Sequence, residues 1–346
     1  MGERALRMTG NDRNRLTQLA MEASRNSASI HRDLAALLFP MSNVSFTDRM
    51  LSNIRQSLLK LVSEIESELC RIAVNQPGSS NEILLDMGNA KRGSSYDLLK
   101  EAGLLRDQDL LEFLHCRAQE HELNVQMTRT IPQEQLDTAF HQYLDHENSA
   151  IADAAMAMFV ARSKTCDPDG QIQLTAIHLP AELFHKITWH VVAAVKNLSG
   201  ADVDQLSFAA QKLLAQHEEG SSLQNRTLRL AQLLVKPNSE DPQLETAGLD
   251  LFLAQISIGS GLSVDQLLSF TNEPGMARFV IAMRSLDLSY HAASSGFTIL
   301  NGGDAVLTAA AYEEIDSEDA RCLVKNWAMN SSYQYALEAL GNQRFP

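Results

Sequence analysis

The sequence predicts an all-α fold, a degenerate HEAT-like array of helices over 11–164 followed by a C-terminal helical domain over 176–342. Three observations predict it. Apolar residues recur at three- and four-residue steps almost throughout, aromatics make up only 6% of the 346 residues and so favour small-residue helix packing, and period-two alternation is confined to one short stretch.

The clearest element comes first. From Phe46 to Val74 the residues Met50, Leu51, Ile54, Leu58, Leu61, Val62, Ile65, Leu69, Ile72 and Ala73 fall on one helical stripe, behind a capping-box-like start at Ser45-Phe46-Thr47-Asp48. Further helix starts are marked by Asp107, Pro132, Pro180, Asp202, Pro242, Ser263 and Asp316. Stops are expected at Gly200, Gly220, Gly259 and Gly341, just past periodic segments. The sum is about twelve to fourteen helices of roughly 10–20 residues. The alternating stretch Ile172–Ile177 lies beside a Pro-Asp-Gly turn and reads as linker rather than strand, and Lys164–Ala176 is the expected domain boundary. A weaker boundary is the loop from Lys236 to Pro242. Leu58–Asn75, Leu110–Arg129 and Leu136–Arg162 each read as an apolar helix ending in a polar cluster, with a spacing of roughly 30–50 residues that suits HEAT-type repeats, although no strict period exists.

Leucine spacing also carries a resemblance. The runs Arg15-Leu16-x-x-Leu19-Ala20 with Arg25, Leu58-Leu59-x-Leu61-Val62-x-x-Ile65-Glu66-x-x-Leu69-Cys70-Arg71-Ile72-Ala73 and Leu98-Leu99-x-x-x-x-Leu104-Leu105-x-Asp107-x-Asp109-Leu110-Leu111 follow one another in an order that resembles the bacterial family known as domain of unknown function 2336. His121, Arg129 and Asn148-x-Ala150-x-x-Asp153 continue it, and it covers residues 12–165 best. The chain departs from the family at Val125–Thr128, where small apolar residues are usual. The resemblance implies an all-helical, HEAT-like N-terminal region in a bacterial cytoplasmic protein and implies no activity.

Charge narrows the function classes. With 29 basic and 43 acidic residues the formal charge is −14, which repels phosphate backbones and anionic lipid, so neither nucleic acid nor a membrane is expected as partner. The longest apolar run, Ala154–Ala161, is far shorter than the ~20 residues a bilayer needs. Arg4 and Arg7 are followed by Asp12, Arg13 and Arg15 where a signal peptide would be apolar, so export is not expected. Cys70, Cys116, Cys166 and Cys322 form no C-x-x-C pair and no disulfide framework, and read as reduced thiols of a cytoplasmic protein.

Catalytic templates fail one by one. Each of His121-Glu122, His146-Glu147 and His217-Glu218 lacks a second histidine at the position where a zinc helix needs one: Val125, Ala150 and Ser221 stand there. Glu182-x-x-His185 has bundle-metal spacing but no second motif to match it. Gly170 heads a calcium-loop-like turn, yet Ala176 occupies the position of the terminal acid. Gly259-Ser260-Gly261 has Val264 in place of the third glycine of a dinucleotide cradle. His115 and Cys116 are neighbours on a helix, about 100° apart, and form no thiolate–imidazole pair. No cofactor and no metal is therefore expected. The leading expectation is a non-enzymatic protein-interaction or regulatory scaffold with an unidentified protein partner, and a homodimer is possible. Arg55, Arg71 and Arg129 are the candidate partner-binding residues, weighed against salt bridges within the array; Met156, Met158 and Phe159 form an apolar band, core or binding surface. The alternative is a ligand-sensing or enzymatic domain with a pocket in the C-terminal half, around His185, Trp189 and His190.

Overall fold

The structure is a computed structural model that describes residues 48–76, 81–90, 93–165, 174–235, 241–303, 306–329 and 333. Among them there are fifteen α-helices, three short 3-10 turns and no strand, so the fold is all-α. In chain order the helices are α1 (Asp48–Val74), α2 (Glu82–Asn89), α3 (Ser95–Glu101), α4 (Gln108–Thr130), α5 (Gln133–Leu144), α6 (Ser149–Arg162), α7 (Ala181–Ser199), α8 (Val203–Ala215), α9 (Leu223–Leu234), α10 (Leu244–Ser260), α11 (Val264–Thr271), α12 (Ala277–Ser285), α13 (Tyr290–Leu300), α14 (Ala309–Glu313) and α15 (Ser317–Trp327). The lengths are less even than periodicity suggests: α1 has 27 residues, whereas α3 has 7 and α14 has 5, too few turns to show a stripe.

Cap chemistry explains several ends. Asp107 accepts from the Leu110 N–H at 3.1 Å, Ser263 forms a capping box with Gln266, and Asp316 accepts from the N–H groups of Glu318 and Asp319. Pro132 and Pro180 stand one residue before their helices, and Leu244 rather than Pro242 opens α10. Gly200 closes α7 in the left-handed conformation, φ 63°. The other expected stops differ. Gly220 lies in the 3-10 turn Glu219–Ser221, and α10 runs through Gly259 to a cap at Gly261. Gly259 serves packing instead, because a Cβ there would meet Leu286 Cδ2 at 2.9 Å. Gly341 lies outside the described residues. Leu174–Ile177, the described part of the alternating stretch, runs into the 3-10 turn Ala176–His178, where Thr175 N–H donates to His178 Nδ1 at 3.1 Å.

The described residues fall into two compact units, each drawn from separate stretches of chain. The first takes 48–121 and 154–226, so helices on both sides of the expected boundary Lys164–Ala176 share it; the second takes 122–153 and 227 onward. The physical reason lies in α1. Its stripe, with Ile54, Leu61, Val62, Ile65 and Leu69 all at most 1% exposed, is covered by α2 and by α7 and α8, which come more than 100 residues later. Reciprocal amides fasten that packing: Gln76 Nε2 donates to Gln205 O and Gln205 Nε2 to Ala73 O, both at 2.9 Å.

A buried carboxylate organises the rest of the first unit. Glu66 is fully buried, and its two oxygens accept from the N–H groups of Ser94 at 3.0 Å and Ser95 at 2.7 Å, so α3 is capped from another helix. Gly93 permits this approach: a Cβ there would lie 2.8 Å from Glu66 Oε2 and 3.0 Å from Ser63 Cα.

In the second unit α10 is buried nearly all round, as expected for a helix without a polar face, with α11, α12, α13 and α15 packed about it and about each other. Among the described residues no single helix is long and apolar enough to cross a membrane, and the pair α10–α11, which passes that test only together, is bent by 112°.

Candidate functional site

Arg55 and Arg71 do not share one side of their helix. Arg55 and Arg71 are exposed on α1 but sixteen residues apart, which at 100° per residue puts them about 160° apart around the helix. Arg71 is paired with Glu68 one turn earlier, and this contact holds the Glu68 carboxyl below its ordinary range. Arg129 is exposed in the last turn of α4, within the second unit.

The histidines of the C-terminal half serve local structure. Trp189 Nε1–H donates to His185 Nε2 at 3.2 Å, one turn apart on α7. Lys186 pairs with Asp107, linking α7 to the cap of α4. Burial, and then the Lys186 charge, push His190 below its usual value, against the pull of Asp107. His217 stacks on Phe184 with ring centroids 4.3 Å apart. Among the described residues no group of three or more His, Cys, Asp or Glu side chains is placed to hold a metal. Burial pushes the Cys70 thiol up to about 12, Cys116 is buried, and Cys322 is exposed; Cys166 lies outside the described residues.

A depression of about 450 Å³ does occur in the C-terminal half, between the end of α10, the α12–α13 turn and α15. Three of its lining residues are tied to one another. Arg321 Nε donates to Ser285 O at 3.2 Å and its guanidinium pairs with Asp287, which takes a left-handed φ of 54°. Arg321 and Asp287 are 50% and 53% exposed, so the pair is wet, and Arg321 neutralises the carbonyl end of α12.

Helix α6 presents apolar side chains outward. Its sequence holds one charged residue, Asp153, before Arg162, and so has apolar side chains on every side. Ile151, Ala155 and Met158, at one-turn steps, are buried, at most 2% exposed. Met156, Phe159 and Val160, on the other side, are 51%, 48% and 45% exposed. The structure thus splits the apolar band read in the sequence: Met158 is core, and Met156 and Phe159 face outward together with Val160, which sequence reasoning missed. The available signal was the absence of a polar face on a helix of 14 residues. A flexible thioether, a ring and a branched side chain spaced i, i+3, i+4 make a surface suited to an apolar segment of another chain.

The chain matches no protein-family model, no curated protein and no solved structure.

Proposed function

We propose that the protein is a non-enzymatic helical interaction module whose α6 face, Met156, Phe159 and Val160, receives an apolar helical segment of a partner protein. The exposure of that face on a helix whose opposite side is core carries the reading, because contiguous exposed apolar surface marks contact sites. The absence of a recognisable catalytic template in the sequence supports it. The same reading takes the N-terminal helices as a HEAT-like array in a bacterial cytoplasmic protein, supported by the family resemblance and by thiols without disulfide spacing. Arg55 and Arg71, on different sides of α1, are less suited to form one partner site than the α6 face.

The test is a Phe159→Asp variant. A partner identified by capture with the wild type and then purified should bind this variant at least about tenfold more weakly by calorimetry, which is ~1.4 kcal/mol, with the helical circular dichroism unchanged. Equal affinity, or a sedimentation profile showing that a second copy of the chain covers the face, overturns it. One observation favours a second reading, a small-ligand sensor: the depression beside Arg321 has a volume in the range of ligand sites. Ligand-induced stabilisation that disappears in Arg321→Ala would support that reading over the first.

A further inference from the structure

The outward side of α6 carries a charge at each end of its apolar triad. From Asp153 onward the exposed residues are Asp153, Met156, Phe159, Val160, Ser163 and Lys164, which at 100° per residue fall within one stripe about 140° wide. The helical path runs on past Arg162, because the Ser163 N–H donates to Phe159 O at 3.0 Å and the Lys164 N–H to Ala161 O at 3.1 Å. Asp153 and Lys164 thus stand eleven positions apart, about 16 Å along the axis, with the triad between them. That distance exceeds the screening length of about 8 Å at physiological salt, so neither charge answers the other. The stripe also holds two successive hollows of the i, i+3, i+4, i+7 form, each of which a facing helix fills with one large side chain. One is bounded by Asp153, Met156, Ala157 and Val160, the next by Met156, Phe159, Val160 and Ser163.

We propose that the α6 face takes an antiparallel partner helix with the pattern acidic-x-x-x-apolar-x-x-apolar-x-x-x-basic, an inference that rests on reading this face as the docking surface. The two apolar side chains, three positions apart, fill the two hollows, whose centres are three positions apart on α6. The acidic residue, four positions before the first, lies opposite Lys164. The basic residue, four positions after the second, lies opposite Asp153.

Direction follows from the order of the charges. On α6 the acidic residue precedes the basic one, so a partner with the same order meets opposite charges only when it runs the other way. That order is also the one a helix favours for itself, with acidic side chains near its N-terminus and basic ones near its C-terminus, and antiparallel helix dipoles attract. The apolar triad supplies most of the attraction, and the two rim charges select the partner and fix its direction. A second copy of the chain is the poorer occupant. Two chains of charge −14 repel at long range, and the α6 of a second copy offers only Ala157 where the first apolar residue of the pattern belongs.

The probe is an acetylated, amidated peptide of about 18 residues, long enough to populate a helix, in which Glu, Leu, Leu and Lys stand at the stated spacing in an Ala and Gln background. It is titrated against the full chain by fluorescence anisotropy. Lys164→Glu should weaken binding at least about threefold, and replacing the Glu of the peptide by Lys should restore it. Asp153→Lys should be restored from the other end, by replacing the Lys of the peptide by Glu. Rescue through the wrong end marks a parallel helix and overturns the inference, as does a probe that fails to bind, or a wild-type chain whose sedimentation shows a dimer that Phe159→Asp dissolves. Equal binding by Lys164→Glu with loss in Phe159→Asp removes the charge pattern and leaves the docking face standing, whereas binding unchanged by Phe159→Asp removes the face as well. Should Lys164→Glu fail to fold, the wild type decides: its preference for this peptide over one with Lys at both ends should be present at about 0.05 M NaCl and gone at about 1 M, and no preference at low salt overturns the inference.

Discussion

Each unit buries a glutamate, and the two are handled in opposite ways. In the first, Glu66 is enclosed completely and both oxygens accept from backbone N–H groups at the start of α3, so the charge is answered by fixed dipoles. In the second, the Glu273 side chain is 8% exposed and is answered by one residue, Arg278, through its guanidinium and its backbone N–H, while Oε2 is left without a partner. Burial alone therefore does not decide whether a carboxylate stabilises a fold. The number and rigidity of its partners do.

Three substitutions break or sharpen this contrast. The largest effect is expected from Glu66→Ala, which strands two backbone donors in a dry interior and should cost about 3–5 kcal/mol in urea unfolding followed by Trp189 fluorescence, the tryptophan of the same unit. A loss below about 1 kcal/mol would mean that water replaces the carboxylate. Next comes Gly93→Ala. Its methyl would press on Glu66 Oε2 and on the Ser63 backbone, and the same assay should show a loss of about 1–3 kcal/mol. Smallest is Arg71→Ala, which removes an exposed pair with Glu68 and should leave the urea midpoint unchanged; a measurable drop would show that this arginine holds more than its neighbour on the helix.

Much of the all-α architecture was legible because α1 and α7 carry long stripes and because Ser263 and Asp316 signal helix starts within three residues of the groups they cap. The contrast between the two glutamates was not. Glu66 stands inside the apolar stripe between Ile65 and Leu69, and its partners are 28 and 29 residues away, so no local spacing announces them. Glu273 and Arg278 are five apart, which is not a helical pairing distance; only a turn with two left-handed residues brings them together. The candidate surface shows the same limit. Met156, Met158 and Phe159 are near neighbours in sequence, and which of them faces the core depends on how α6 is packed. Gly259 illustrates a different failure: a glycine after a periodic run signals a cap, but close contact with Leu286 demands the same residue.

The route by which α1 is covered has a consequence for synthesis. Its stripe is closed by α7 and α8, and the amide clasp joins Gln76 to Gln205, so at a translation rate of about 5–20 residues per second the nascent helix waits roughly six to twenty-six seconds for its cover to be made. Through that interval Ile54, Leu61, Ile65 and Leu69 lack that cover, and the nascent chain exposes an apolar stripe that its finished fold hides.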